Sequence, residues 1–74
     1  MEYLGNVNIG FVFEYNGGLF VVMPFDWEEN KYYNLCIATR NHDEYDVGDK
    51  YFFEHETQVK VTPTAKLKEF IPKG

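Results

Sequence analysis

Residues 7–25 limit the possible folds of this chain more than any other stretch. They read V-N-I-G-F-V-F-E-Y, then N-G-G, then L-F-V-V-M-P-F. Val7, Ile9, Phe11, Phe13 and Tyr15 recur at every second position, while Asn8, Gly10 and Glu14 alternate with them. A period of two puts the first set on one face of an extended strand, with Val12 the one apolar residue on the other. Asn16-Gly17-Gly18 supplies residues that take positive φ at little steric cost, as a tight hairpin requires. Residues 19–25 are apolar on both faces, which suits a central strand or one covered by the tail. Pro24 cannot donate to a ladder, so it marks a strand end or an edge.

The remaining strands follow from the same rule. K-Y-Y-N-L-C-I-A-T over 31–39 reads as a third strand, with Tyr33, Leu35 and Ile37 inward. Residues 49–54 read as a fourth, after Val47-Gly48, and 57–62 as a fifth, with Val59 and Val61 inward. Pro63 ends the sheet. Thr64 is placed to cap a short helical turn that brings Leu67, Phe70 and Ile71 together at i, i+3, i+4 spacing. Five short strands and a terminal turn within 74 residues predict an all-β fold, a small five-stranded SH3-like barrel that hides its edges by closure. The chain reads as one domain, 1–74, with its core over about 7–62 and a turn and tail at 63–74.

So small a domain needs either crosslinks or an unusually rich core. One cysteine allows no internal disulfide and no cysteine-based zinc cluster. Seven Phe, six Tyr and one Trp are the alternative, since each ring buries about 150–250 Å². A lone thiol and the lack of a basic, apolar leader point to a reducing cytoplasm, that of a host cell if the chain is phage-encoded. No run approaches the length of a membrane helix, so a membrane partner is not expected.

The net charge of −5 is unevenly spread: −2 over 1–25, −6 over 26–56 and +3 over 57–74. Phosphate neutralisation needs Lys and Arg, so direct nucleic-acid binding is not expected outside the tail. The acidic middle holds two candidate loops. In the first, Trp27 stands among Asp26, Glu28 and Glu29. It is either an aromatic anchor with an acidic rim, as binding hot spots are built, or a ring folded back over the open barrel end. In the second, Arg40, His42, Asp43 and Glu44 put a histidine beside acids, which suits a general base, a metal ligand or a plain solvated connection. Tyr32 is the outward ring of the Tyr32-Tyr33 pair, forming with Asn34 and the nearby Trp27 a small aromatic patch. His55 lies between Glu54 and Glu56, and a joint site with His42 is one arrangement to test. Cys36, between Leu35 and Ile37, reads as a small buried apolar residue, because no motif places a histidine to activate it. Gly17-Gly18 is turn chemistry and not a phosphate loop.

The runs G-x-V-F-E-Y-N-G-G-L-F-V-V, Y-Y-N-L-C-I-A-T and F-F-E-H-E-T-Q-V-K-V together resemble a pattern of small bacteriophage proteins with SH3-like barrels. Phe13-Glu14-Tyr15-Asn16-Gly17-Gly18-Leu19-Phe20 carries the hairpin, Asn34-Leu35 and Thr39 the second element, and Val59-Lys60-Val61 the third. The V-G-D triplet of that pattern stands here before the fourth strand (Val47-Gly48-Asp49) and not before the first. The resemblance implies a phage-type barrel and assigns no catalytic residue.

Two functions follow as expectations. One is a non-enzymatic protein-interaction module, an acidic inhibitor that docks on a basic surface of a host protein. The other is a binder of a nucleotide-like small ligand, stacked on Tyr or Trp and paired through Arg40 or the tail lysines, with its pocket in the chain or at a subunit interface. No cofactor or metal is implied. Unpaired strand edges make a homo-oligomer as expected as a monomer.

Overall fold

The structure is a computed structural model and describes residues 1–62. Six strands form in chain order: β1 (Glu2–Tyr3), β2 (Val12–Tyr15), β3 (Gly18–Val22), β4 (Asn34–Thr39), β5 (Lys50–Tyr51) and β6 (Gln58–Val61). A 3-10 turn, Leu4–Asn6, follows β1. All strands pair antiparallel in one sheet of order β1-β6-β2-β3-β4-β5. The all-β class holds. The sheet, however, has six strands where five were expected, and it is open. The extra strand is β1, which pairs Glu2 with Val59 at the edge. Closure fails for a local reason: both edge strands, β1 and β5, are two residues long. Neither has a ladder to offer the other, and the chain leaves β5 to cross the core face. The expected helical turn after Thr64 lies outside the described residues.

The hairpin at 16–17 forms as its residues dictate. Asn16 and Gly17 have φ of 49° and 83°, which a two-residue loop with both central residues at positive φ demands. Tyr15 pairs with Gly18 directly across it. Gly18 is therefore the first residue of β3, and its lack of a side chain serves packing. A Cβ there would stand 2.7 Å from Cε2 and Cζ of Phe20 and 3.1 Å from the Tyr45 ring.

The nine-residue alternation does not survive as one strand. Gly10 takes φ 86°, its N–H donates to the Val22 carbonyl, and the Val22 N–H donates to the Phe11 carbonyl. Two residues thus oppose one, a β-bulge with glycine in the left-handed position. Strand β2 starts only after it. Ile9 and Phe11 are each 52% exposed, not core residues as their spacing suggests. Beyond the bulge the pattern resumes, with Phe13 fully buried and Tyr15 half-buried against the same core.

Strand β3 is central and buried on both faces, as its composition predicts. Phe20 and Val22 face the main core, with Leu4, Phe13, Cys36, Tyr45 and Val59. Leu19 faces the other side, with Val12 and Ala38 and the half-buried Val21 and Ile37. The inward face of β4 is not the expected one, and a second bulge interrupts the strand. Leu19 pairs with Ala38 while Phe20 pairs with Cys36, so Ile37 is an extra residue. The main core takes Asn34 and Cys36, and Leu35 and Ile37 turn away. In β6, Val59 is fully buried whereas Val61 is 41% exposed.

From β5 the chain runs over the core face to β6 at the opposite side of the sheet. Phe53 on this crossover sets its ring against Phe13, Tyr15 and Phe20 at centroid distances of 6.4, 5.1 and 5.2 Å. The Leu4 N–H donates to the Thr57 carbonyl and the Gly5 N–H to the His55 carbonyl, fixing the crossover to the first turn.

Gly18→Ala tests the packing argument. Forcing a methyl group into the Phe20 ring should cost about 1–3 kcal/mol, as overpacked cores do. A domain of this size then loses at least about 4 °C in Tm, measurable by calorimetry. An unchanged Tm would mean that the Phe20 ring yields freely.

Candidate functional site

The two acidic loops lie at opposite ends of the β3–β4 ladder, roughly 15 Å apart along the strands. They do not form one site. Residues 26–31 join the Val22 end of β3 to the Asn34 end of β4, whereas 40–46 follow Thr39, which pairs with Gly18.

The first loop is the tip of a long hairpin. The ladder runs on past β3 and β4 through the Met23 N–H donating to the Tyr33 carbonyl, and through a bridge between Asp26 and Lys31. Asp26 closes the tip. Its Oδ1 accepts the backbone N–H groups of Glu28 and Glu29 at 3.0 and 3.1 Å, and its carbonyl accepts that of Asn30 at 2.7 Å. Asn30 takes φ 58°, a conformation asparagine tolerates, and turns the chain back. Trp27 stands on this frame 85% exposed. It is not folded over the sheet. Its ring meets the edge of Phe25 at 4.6 Å, and Phe25 in turn meets Tyr32 at 5.0 Å. The three rings form the patch expected around Tyr32, which is 40% exposed. Asn34 does not belong to it, since it is only 2% exposed and its Nδ2 donates to the Tyr51 carbonyl at 3.2 Å. Glu28 and Glu29 rim the tip in solvent. Asp26 faces Lys50 at 3.8 Å, a contact too exposed to add much stability.

The second loop is tied to the first hairpin. Asn16 Nδ2 donates to Glu44 Oε2 at 2.8 Å and to the Tyr45 hydroxyl at 3.1 Å. Asn41 Nδ2 donates to the Asn16 carbonyl, the Asn41 N–H donates to Thr39 Oγ1, and the Arg40 N–H donates to the Gly17 carbonyl. Glu44 thus has a structural task, while His42 and Asp43 stay exposed. Tyr45, a residue that charge patterning alone places in solvent, is buried. It packs edge-on to Phe20, Tyr51 and Phe53. His42 at this end shares no site with His55 at the other. Among the described residues, no three His, Cys, Asp or Glu side chains gather as a metal site would need.

Cys36 is fully buried, and its Sγ donates to the Ala38 carbonyl at 3.4 Å. Burial pushes the thiol above its ordinary range, and Asp46 and Asp49 push the same way. Such a thiol is no nucleophile at neutral pH. Burial likewise raises the Tyr45 hydroxyl, opposed by the Asn16 hydrogen bond and reinforced by Glu44.

A pocket of about 460 Å³ opens beside the aromatic tip, at the end of the sheet where β3 stops and β4 begins. Leu4, Val7, Val22 and Phe53 line it with apolar surface. Asn8, Tyr32, Asn34 and His55 bring polar atoms to it. Sequence reasoning singled out Tyr32, Asn34 and His55 as polar candidates but had no signal that they meet Asn8 and the apolar residues, which come from separate segments. A second, smaller pocket of about 270 Å³ shares Tyr32 and His55 with it and is lined also by Phe25, Lys31, Phe52, Glu54 and Glu56. Lys31 Nζ stands 4.9 Å over the Phe52 ring there.

No family model, curated protein or solved structure matches the chain. The fold and these features define a class by themselves: a small all-β protein with an exposed aromatic and acidic hairpin tip beside a mixed apolar–polar pocket.

Two measurements check this description. Asp26→Ala should lower stability by about 0.5–2 kcal/mol, because two loop N–H groups lose their acceptor. Asp26→Asn keeps an acceptor oxygen and should cost less than half as much in the same denaturant titration; equal losses would put the weight on Lys50 instead. The second concerns pH. Above about pH 8.5 the unfolded chain releases the Cys36 proton while the folded chain keeps it. The folded state then binds more protons, so stability falls as pH rises, and Tyr45 adds the same sign above about pH 10. Denaturation midpoints should decline from about pH 8 to about pH 10 and decline less in Cys36→Ala.

Proposed function

We propose that the chain is a protein-interaction module whose contact surface is the hairpin tip at Trp27, presented to a partner with a basic surface. The observation that carries this reading is the 85% exposure of Trp27 on a closed, hydrogen-bonded frame. An exposed indole held in place loses little conformational freedom on binding, which is how aromatic hot spots gain affinity. Around it Asp26, Glu28, Glu29, Glu54 and Glu56 outnumber Lys31 and Lys50. An acidic rim of this kind steers a basic partner and sets orientation. Arg40, His42, Asp43 and Glu44, at the far end of the ladder, stand outside this surface.

The role is one of binding, not of catalysis. An acidic inhibitor of a host protein, acting in the host cytoplasm, is the form of it that the phage-type resemblance suggests. The meander β2-β3-β4-β5, with β6 returning beside β2 through Phe13 and Val61, supports an SH3-like reading of the sheet with β1 added at its edge. Two short edges, β1 and β5, unpaired among the described residues, are where a second copy would join. Among the described residues no helix is long and apolar enough to cross a membrane.

Affinity capture from the native cells tests the proposal. The tagged wild-type chain should retain a basic protein, and the retained amount should fall as salt rises. Trp27→Ala should retain at least about tenfold less, as loss of a hot spot does. Charge reversal at Glu28 and Glu29 should weaken capture and flatten its salt dependence. Undiminished capture by Trp27→Ala would overturn the proposal.

A further inference from the structure

The pocket beside the tip differs from the tip in the chemistry it offers. Trp27, Glu28 and Glu29 do not line it. We infer that it binds an uncharged heteroaromatic ring of the nucleobase class, as free base or nucleoside and not as nucleotide. Its volume of about 460 Å³ lies within the range of small-molecule sites. None of the described residues that line it is Lys, Arg, Asp or Glu, so among them a charged group finds no counter-ion.

Leu4, Val7, Val22 and Phe53 suit the two faces of a flat ring. The polar groups suit its edge. Asn34 is 2% exposed, and its Nδ2 bond to the Tyr51 carbonyl fixes the carboxamide plane. The Asn8 amide, the Tyr32 hydroxyl and the His55 imidazole make no side-chain hydrogen bond to another described residue. Two carboxamides and an imidazole bring donors and acceptors to the pocket lining. A heteroaromatic edge carries both as well, and a carboxamide meets adenine's amino group and ring nitrogen in this way in nucleic-acid readout. A purely aliphatic occupant would leave these groups unmatched.

The neighbouring pocket also disfavours phosphate. It shares Tyr32 and His55 with this one and carries Glu54 and Glu56, and Lys31 is the one ammonium that the described residues bring to it. Arg40, one of the cations to which a nucleotide's phosphate was expected to pair, is at the opposite end of the ladder, and the tail lysines lie outside the described residues.

NMR titration of the isotope-labelled chain tests the site, with adenosine, guanosine, cytidine, uridine and adenosine 5′-monophosphate as probes. At least one nucleoside should shift the backbone amides of Gly5 and Ile9 and the side-chain amides of Asn8 and Asn34 at or below about 1 mM. The monophosphate should bind more weakly than adenosine. His55→Ala keeps the backbone carbonyl that holds Gly5, so it should fold, yet weaken the nucleoside about fivefold, the value of one hydrogen bond. Trp27→Ala should leave nucleoside affinity unchanged, which separates this site from the protein-binding tip. Absence of shifts for all four nucleosides, tighter binding of the monophosphate, or equal affinity in His55→Ala would each overturn the inference.

Discussion

The Phe20 ring is the contact on which the rest of the molecule depends. It is fully buried, stacks on Phe13 at 5.5 Å and receives the edges of Tyr45, Tyr51 and Phe53 at 5.0, 6.0 and 5.2 Å. These rings come from four separate parts of the chain: β2, the loop after β4, β5 and the crossover. Each edge-on pair adds about 0.5–1.5 kcal/mol beyond area burial. Truncating such a ring to alanine costs about 3–5 kcal/mol. A domain of 74 residues holds only roughly 4–11 kcal/mol in all. One side chain therefore accounts for much of the margin, and Gly18 is glycine because that ring needs the space.

From this centre the two ends of the β3–β4 ladder diverge. The end at Gly17 and Thr39 is knitted by Asn16, Asn41, Glu44 and Tyr45, whose side chains spend their hydrogen bonds on one another and on backbone. The other end keeps its polar side chains for solvent. Asn8, Tyr32 and His55 stand around an open pocket, and Trp27 projects from the hairpin tip. A charged loop whose groups satisfy one another is scaffold, and a loop whose backbone is satisfied while its side chains stay free is a candidate contact. By that distinction the loop at 26–31 is the candidate contact, although both loops are acidic in sequence.

The hairpin at Asn16-Gly17, the two-faced strand β3 and the buried Cys36 were all legible in the residues, because each follows from local steric or burial rules. The face assignments of Ile9, Phe11, Leu35 and Ile37 were not. Those of Ile9 and Phe11 failed at a β-bulge. Leu35, opposite Val21, and Ile37 lie on the second apolar face of a sheet buried on both sides, so apolar type alone could not choose the face. Gly10 was a partial signal for the first bulge, since an isolated glycine in a strand pattern often marks one. Ile37, β-branched and apolar, carried none. Tyr45 was hidden in a charged run, and its burial depends on Phe20, Tyr51 and Phe53 arriving from elsewhere in the chain. The same holds for the pocket. Trp27 and Tyr32 stood out by type, whereas Asn8 and Asn34 acquire meaning only where the end of β3, the start of β4 and the first turn meet.

The openness of the sheet ties these observations together. In a closed barrel the end at Val22 and Asn34 would be filled by side chains, and Trp27 would serve best as a lid. Two-residue edge strands prevent closure, so the crossover covers the core instead, through Phe53. That solution seals the ring cluster from above, but no described residue fills the space between the first turn, Val22 and His55. With the core closed by Phe53, the Trp27 ring is released from packing and can stand in solvent on Phe25. The exposed indole and the open pocket are then two consequences of one constraint: a chain too short at its edges to close the sheet.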